Sequence, residues 1–152
     1  MYKIIPASLE HVDEIYEIEQ ESFSDPWSKS SIIYEIEHKF SICLSAVDTN
    51  GNVLGYAAMR WVINEGHINN IAVLPSYRGQ GIGGILIEGL IKEAKARDMI
   101  GLTLEVRAGN AAAISMYEKY GFITEGIRKN YYFSPTEDAL IMWKMMQDKE
   151  KI

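Results

Sequence analysis

The chain is 152 residues long, 47% hydrophobic and 24% charged, with a formal net charge of −6 and one cysteine. That length suits a single domain, residues 1–152, with a core of its own, and the composition is ordinary for a soluble globular protein. No apolar run approaches the roughly 20 residues of a membrane span, and MYKIIPASLEHVDE turns acidic where a signal peptide needs an apolar stretch. Lone Cys43 excludes an internal disulfide and a multi-thiolate zinc site. A cytoplasmic protein without a metal centre is expected.

In chain order, Tyr2–Ile5 reads as a short strand ended by Pro6. Ser8 caps a helix running to about Phe23, with Val12, Ile15, Ile18 and Phe23 on or near one face. Ser24-Asp25-Pro26-Trp27 breaks it, and Ser28 starts a second helix carrying Ile32, Ile33, Ile36 and Phe40. Residues 1–40 hold nine acidic and three basic groups, so the whole net charge lies in this helical region. Such a surface repels nucleic acid and attracts cationic partners, or is simply a solvated helix face. Ser41–Val47 alternates as a strand, Thr49-Asn50-Gly51-Asn52 is a hairpin turn, and Val53–Val62 returns.

Gly66–Val73 is the next strand, and it feeds Leu74-Pro75, a turn and Arg78-Gly79-Gln80-Gly81-Ile82-Gly83-Gly84. An amphipathic helix of about Ile82–Arg97 follows, with Ile85, Leu86, Leu90, Ile91 and Ala94 at helical spacing. A strand, a glycine-rich turn and a helix in that order form an anion cradle, because glycines let the backbone approach a ligand and the first N–H groups of the helix point at it. Pyrophosphate suits it. The spacing is not GxxxxGK[ST]; it is R-x-x-G-x-G on Arg78, Gly81 and Gly83.

Gly101–Arg107 alternates cleanly, Leu102, Leu104 and Val106 facing one way and Thr103, Glu105 and Arg107 the other. Asn110 opens another helix that stops at Gly121. Phe122–Arg128 and Ala139–Met146 read as two last strands joined by a loop containing Asn130-Tyr131-Tyr132 and Ser134-Pro135. The order βααβββαβαββ implies an α/β fold with a mixed central sheet flanked by helices.

Two segments near the carboxyl ends of the strands could carry chemistry. Glu105 is the one acidic group on a strand otherwise suited to burial, so partial desolvation would raise its basicity; it is equally suited to pairing with Arg107 or a neighbouring strand. Tyr117 shares a helix face with Asn110, Ala113 and Ile114, where a phenol is either a proton donor or a packed core residue.

The glycine loop, preceded by V-x-P, resembles the acyl-CoA pyrophosphate loop of the GNAT superfamily of N-acetyltransferases. LEVRAGNAAAISMYEKYGF (Leu104–Phe122) is similar to the L-E-V-R-x-x-N-x-x-A-x-x-[ML]-Y-x-x-x-G-F signature of its RimI-type N-terminal acetyltransferases. The similarity continues through Asp25–Ser28, Asn70–Val73, Arg128–Tyr132 and Glu137–Met142, nearly the whole chain. The resemblance implies the acyl-CoA N-acyltransferase fold and a direct, ternary-complex transfer of acetyl from acetyl-CoA to a protein N-terminus, with an N-terminal alanine of a small-subunit ribosomal protein as acceptor. It places the general base at Glu105 and the general acid at Tyr117. Acetyl-CoA contacts fall on Ile71, Ala72 and Val73, then Arg78, Gly79, Gln80, Gly81, Ile82, Gly83 and Gly84, with Asn110 and Tyr117 completing the set; Trp27, Tyr131 and Tyr132 border the incoming N-terminus. Two departures stand out: Gly84 where a basic residue is common, and Gly109 where serine is common.

Other acceptor classes stay open: a broader, archaeal-type N-terminal acetyltransferase, a small-molecule amine acetyltransferase, or an acyl-CoA-binding module without activity. No metal, membrane or nucleic-acid partner is implied. Cys43 reads as a small core residue, His11, His38 and His67 lack metal-ligand spacing, and Trp61 and Trp143 read as packing residues.

Overall fold

The structure, a computed structural model, describes residues 2–146. Among them, β1 (Lys3–Pro6), β2 (Ser41–Val47), β3 (Val53–Val62), β4 (Glu65–Val73), β5 (Gly101–Arg107), β6 (Ile123–Tyr132) and β7 (Glu137–Met145) form one sheet in the order β1-β2-β3-β4-β5-β7-β6. Helices α1 (Val12–Ser22), α2 (Lys29–Glu37), α3 (Ile82–Ala96) and α4 (Ala111–Lys119) flank it. Only β4 and β5 pair in parallel, which is what α3 permits by crossing over between them. Thus the mixed sheet and the element order follow the sequence reading.

β3 shows why the sheet has two cores. Val53–Met59 is buried without interruption, because both faces of the strand are covered. Leu54, Ala57 and Met59 join α3's Leu86, Ile87 and Leu90 on one side, while Val53, Tyr56 and Ala58 join α1's Val12, Ile15 and Ile18 on the other.

Several boundaries differ from the sequence reading. Ser8 opens a single 3-10 turn, Leu9–His11, and α1 proper starts at Val12 and ends at Ser22, leaving Phe23 outside the helix and partly exposed. In α2 only Ile32 of the four expected apolar residues is buried; Ile33 is exposed, and Phe40 lies beyond the helix end, edge-on to Trp61. Pro6 lies inside β1 rather than after it, which an edge strand tolerates.

The largest correction concerns the last hairpin. Asn130-Tyr131-Tyr132 belongs to β6, not to the loop, and β7 begins at Glu137. The sheet register jumps from Arg128↔Ala139 to Tyr132↔Glu137, so β6 carries extra residues in a bulge. Asn130 takes φ +53 there, and its N–H donates to Asp138 Oδ1 at 2.9 Å. A polar, left-handed residue inside a strand is easily read as a turn; here it re-aims two tyrosines.

Candidate active site

The site begins where the sheet opens. β4 pairs with β5 only from Glu65↔Gly101 to Ile68↔Leu104, although both strands continue. On its other side, β4 shifts register against β3 between Ala58↔Asn70 and Met59↔Ile68, so Asn69 is an unpaired bulge residue. The extra residue bends β4 away from β5. Beyond it, Leu74 N–H donates to Leu54 O at 2.8 Å. Since N–H groups alternate in direction along a strand, those of Ile71 and Val73 face the opening.

The glycine loop adjoins it. Gly79 and Gly81 have φ of +80 and +86, and neither would bring a Cβ within 4 Å of other atoms, so backbone conformation is what requires glycine there. Gly81 is the N-cap of α3 and offers no side-chain acceptor, which leaves the first N–H groups, Ile82 to Gly84, pointing out of the helix end. Gly83 allows close approach of α4, since a Cβ would meet Met116 Sδ at 3.0 Å. Gln80 accepts from the Tyr2 hydroxyl. Arg78 differs from the rest of the loop: its Nε donates to Val73 O at 2.9 Å and its Nη2 to Ser22 Oγ at 3.1 Å. Its guanidinium therefore braces the loop against β4 and the end of α1.

The other wall is β5 with α4. Asn110 Oδ1 accepts from Ala113 N–H at 3.2 Å and caps α4. At the far end Gly121 takes φ +96, Gly121 N–H bonds Glu118 O at 3.0 Å, and Phe122 N–H bonds Tyr117 O at 3.1 Å. This is a Schellman cap, completed by the Tyr117 and Phe122 rings at 5.8 Å. Caps at both ends hold a nine-residue helix that would be marginal alone, and they fix Tyr117. Burial, with a contribution from nearby Tyr132, pushes the Tyr117 phenol up.

Glu105 sits on the same sheet face as Ile141 and Gly126, while Arg107, Ala139 and Arg128 form the next row. Small residues at Ala139 and Gly126 let Arg128 reach diagonally across β7, and its Nε is ion-paired with Glu105 Oε2. Glu105 thus pairs with β6, not with Arg107. Tyr131 and Tyr132 meet edge to face at 5.1 Å. Burial and the nearby Glu105 charge push the Tyr131 phenol up. Burial and the same carboxylate push Tyr132 up to about 12. Glu105, Tyr117, Tyr131 and Tyr132 are therefore one cluster, brought together by the β6 bulge.

Arg107, which the sequence offered only as a possible partner of Glu105, is a hub. It donates to Glu137 Oε1 at 3.1 Å, to the Pro135 and Phe133 carbonyls at 3.0 Å, and to Ser24 Oγ at 3.4 Å, and it stacks over the Tyr132 ring at 4.5 Å. Glu137 Oε2 in turn accepts from Gly109 N–H at 2.6 Å. An arginine beside the alternating strand face was visible, but its partners lie about 30 and 80 residues away in the chain and carry no local signal. Trp27 is only partly buried, and its N–H donates to Glu19. Cys43 lies on β2, where burial pushes its thiol up to about 12, so no thiolate nucleophile forms near neutral pH. His67 pairs with Glu65 at the start of β4, away from the open end of the strand.

The chain matches the acetyltransferase (GNAT) family over residues 12–122. It is 42% identical over 136 residues, 89% of each chain, to a Bacillus subtilis (strain 168) protein provisionally named a ribosomal protein bS18-alanine N-acetyltransferase. It is 41% identical over 142 residues, 90% of this chain and 93% of the other, to the Escherichia coli (strain K12) ribosomal protein bS18-alanine N-acetyltransferase. The crystal structure of the Escherichia coli ribosomal-protein-S18-alanine N-acetyltransferase superposes with a TM-score of 0.89 at 35% identity, covering 100% of this chain and 99% of the other.

Proposed function

The chain belongs to the acetyltransferase (GNAT) family, and we propose that it transfers an acetyl group from acetyl-CoA to the N-terminal α-amine of a protein, an N-terminal alanine of a small-subunit ribosomal protein. The observation that carries this reading is a sheet opening with Glu105 and Tyr117 at its edge, in a chain about two-fifths identical, over most of its length, to enzymes named for that acceptor.

The residues present fit a CoA pyrophosphate. Gly79 and Gly81 carry no side chain where the backbone turns, and among the described residues α3 starts without a side-chain cap, so its first N–H groups suit an anion. Gly79 through Gly84 would hold the pyrophosphate, Ile71–Val73 the pantetheine arm along the exposed edge of β4, and Asn110 that arm's other side. Arg78 serves by holding the loop in shape, and Gln80 by anchoring it to Tyr2.

Acetyl-CoA supplies the activated acyl group as a thioester. Val73 N–H, facing the opening, is placed to polarise an acyl carbonyl. Glu105 accepts a proton from the incoming amine, directly or through water; an α-amine titrates near 8, so a modest base suffices. Tyr117 directs its hydroxyl proton at the departing sulfur. Trp27, Tyr131 and Tyr132 border the acceptor, with Arg107 holding Tyr132 and the loop beyond β6 in place.

The test is CoA release from acetyl-CoA with an Ala-initiated basic peptide, the same peptide blocked at its N-terminus, and spermidine. Turnover on the free peptide alone is expected. Turnover on spermidine, or on the blocked peptide through lysines, would assign a different acceptor, and binding of acetyl-CoA without any turnover would make the chain a non-catalytic module. Peptides beginning with Ala, Ser or Met separate an alanine-dedicated enzyme from a broader one.

A further inference from the structure

Glu19 lies on α1, outside the cluster described above, and is completely buried. A carboxylate without solvent is costly unless its lone pairs are matched, and here both oxygens are. Trp27 N–H donates to Oε1 at 2.7 Å, and Asn70 Nδ2 donates to Oε2 at 2.7 Å. Asn70 Nδ2 is also 3.2 Å from the Tyr56 hydroxyl on β3. Asn70 immediately follows the bulge residue that bends β4, and Trp27 ends the break between α1 and α2. One side chain therefore ties the α1–α2 connection to the strand whose open edge forms one wall of the site.

The same connection is held at two further points. Ser22 Oγ accepts from Arg78 of the glycine loop, and Ser24 Oγ from Arg107, which stacks on Tyr132. Segment 22–27 thus spans from the donor loop to the tyrosine pair, and Glu19 is the clasp with no exposure to water.

We infer that Glu19 is a positioning residue for the acceptor amine: it seats segment 22–27 on β4 so that Trp27 and Ser24 form a fixed wall opposite Tyr131 and Tyr132. The inference rests on the acceptor approaching from that side, as in the function proposed above. Burial also pushes the Glu19 carboxyl up, consistent with a clasp isolated from solvent. Glutamine at this position can preserve both bonds, since its carbonyl accepts from Trp27 and a rotated Asn70 carboxamide can accept from its NH2. Alanine preserves neither.

The test compares Glu19→Ala and Glu19→Gln in the intact protein by two readouts. In Glu19→Ala, hydrogen exchange at the Trp27 amide is expected to accelerate at least ten-fold. With the Ala-initiated peptide, or whichever amine of the panel turns over, the acceptor KM should rise about ten-fold while the acetyl-CoA KM stays within two-fold. Glu19→Gln should restore both to within three-fold of the wild type. Unchanged Trp27 exchange, or equal changes in both KM values, would overturn the inference. If Glu19→Ala does not fold, Asn70→Ala removes the β4 half of the clasp while leaving the Trp27–Glu19 bond, and is read by the same split between the acceptor and acetyl-CoA KM values. A wild-type protein inactive on the peptide would refute the proposed acceptor alone, because the exchange readout does not depend on it.

Discussion

Replacing Tyr117 by Phe removes one oxygen from a ring that is 8% exposed and packed on Phe122 at 5.8 Å. Among the described residues, no hydrogen bond holds that hydroxyl, so its loss should change stability by no more than about 0.5 kcal/mol, or about 2 °C in Tm at this chain length. The effect on turnover should be far larger. An ordinary phenol, at about 10, is already a weaker acid than a thiol at about 8.5, and burial widens that gap. Complete proton transfer to the departing sulfur is therefore uphill, so in the reaction proposed above the hydroxyl would act chiefly by donating a hydrogen bond to the charge that develops there. A preorganised donor of that kind contributes roughly 10²- to 10³-fold, about 2.7–4 kcal/mol. We expect Tyr117→Phe to lower kcat by that factor, with little change in the acetyl-CoA KM, in a steady-state CoA-release assay run beside calorimetry. Because burial holds the phenol above its ordinary value, the wild-type kcat profile should show no limb from Tyr117 below about pH 10. A kcat within three-fold of wild type would refute the role, and a Tm drop above about 5 °C would refute the claim that the loss is chemical.

Two further predictions follow from the same packing. Burial raises the Glu19 carboxyl, so the stability it contributes is fully present below its unfolded value of about 4.3 and is lost as pH rises through its higher folded value. The urea midpoint of Glu19→Gln relative to wild type should therefore increase from pH 4.5 to pH 7.5, and a pH-independent difference would contradict the burial cost. At Gly66 a Cβ would lie 2.5 Å from Leu102 Cδ2 and 2.7 Å from Met59 Sδ, so Gly66→Ala should cost about 1–3 kcal/mol in chemical denaturation; a neutral result would mean that this end of the β4–β5 pairing repacks freely.

How much of this was legible in the chain depends on the range of the interaction. The β5 alternation, the glycine loop and the α4 caps are local, and their periods and glycines announced them. The β6 bulge was not, because Asn130 next to two tyrosines has the local signature of a turn, and only pairing with Asp138 reveals a strand. The α2 face was over-assigned, since Ile33 and Phe40 match helical spacing but lie outside the area that β2 and α1 cover. Glu105 was visible as a lone acid on a buried strand, whereas Arg128 as its partner depends on β7 being inserted between β5 and β6. Glu19 gave no signal: an acid in an acidic helix is ordinarily solvated, and its burial is decided by Asn70 and Trp27.

The two departures from the family pattern have a common physical basis. A Cβ on Gly84 would lie 2.5 Å from Tyr120 Oη, and a Cβ on Gly109 would lie 2.5 Å from Glu137 Oε2. In each case the space a side chain would use is filled from elsewhere. Tyr120 reaches over the first turn of α3 to Glu88, 3.2 Å away, and Glu137 reaches under the β5–α4 turn to the Gly109 amide. Each glycine is thus one half of an exchange whose other half is a neighbouring side chain. The coupling is measurable at position 84, where alanine should gain about 1 kcal/mol of helix propensity but displaces the Tyr120 hydroxyl. In wild type the two effects should nearly cancel. With Tyr120→Phe already in place, the nearest remaining ring atom is Cζ at 3.2 Å, and Gly84→Ala should stabilise by about 0.5–1 kcal/mol more than it does alone. Strict additivity in that double-mutant cycle would show that the phenol does not hold the space, and that the first turn of α3 is open to a side chain after all.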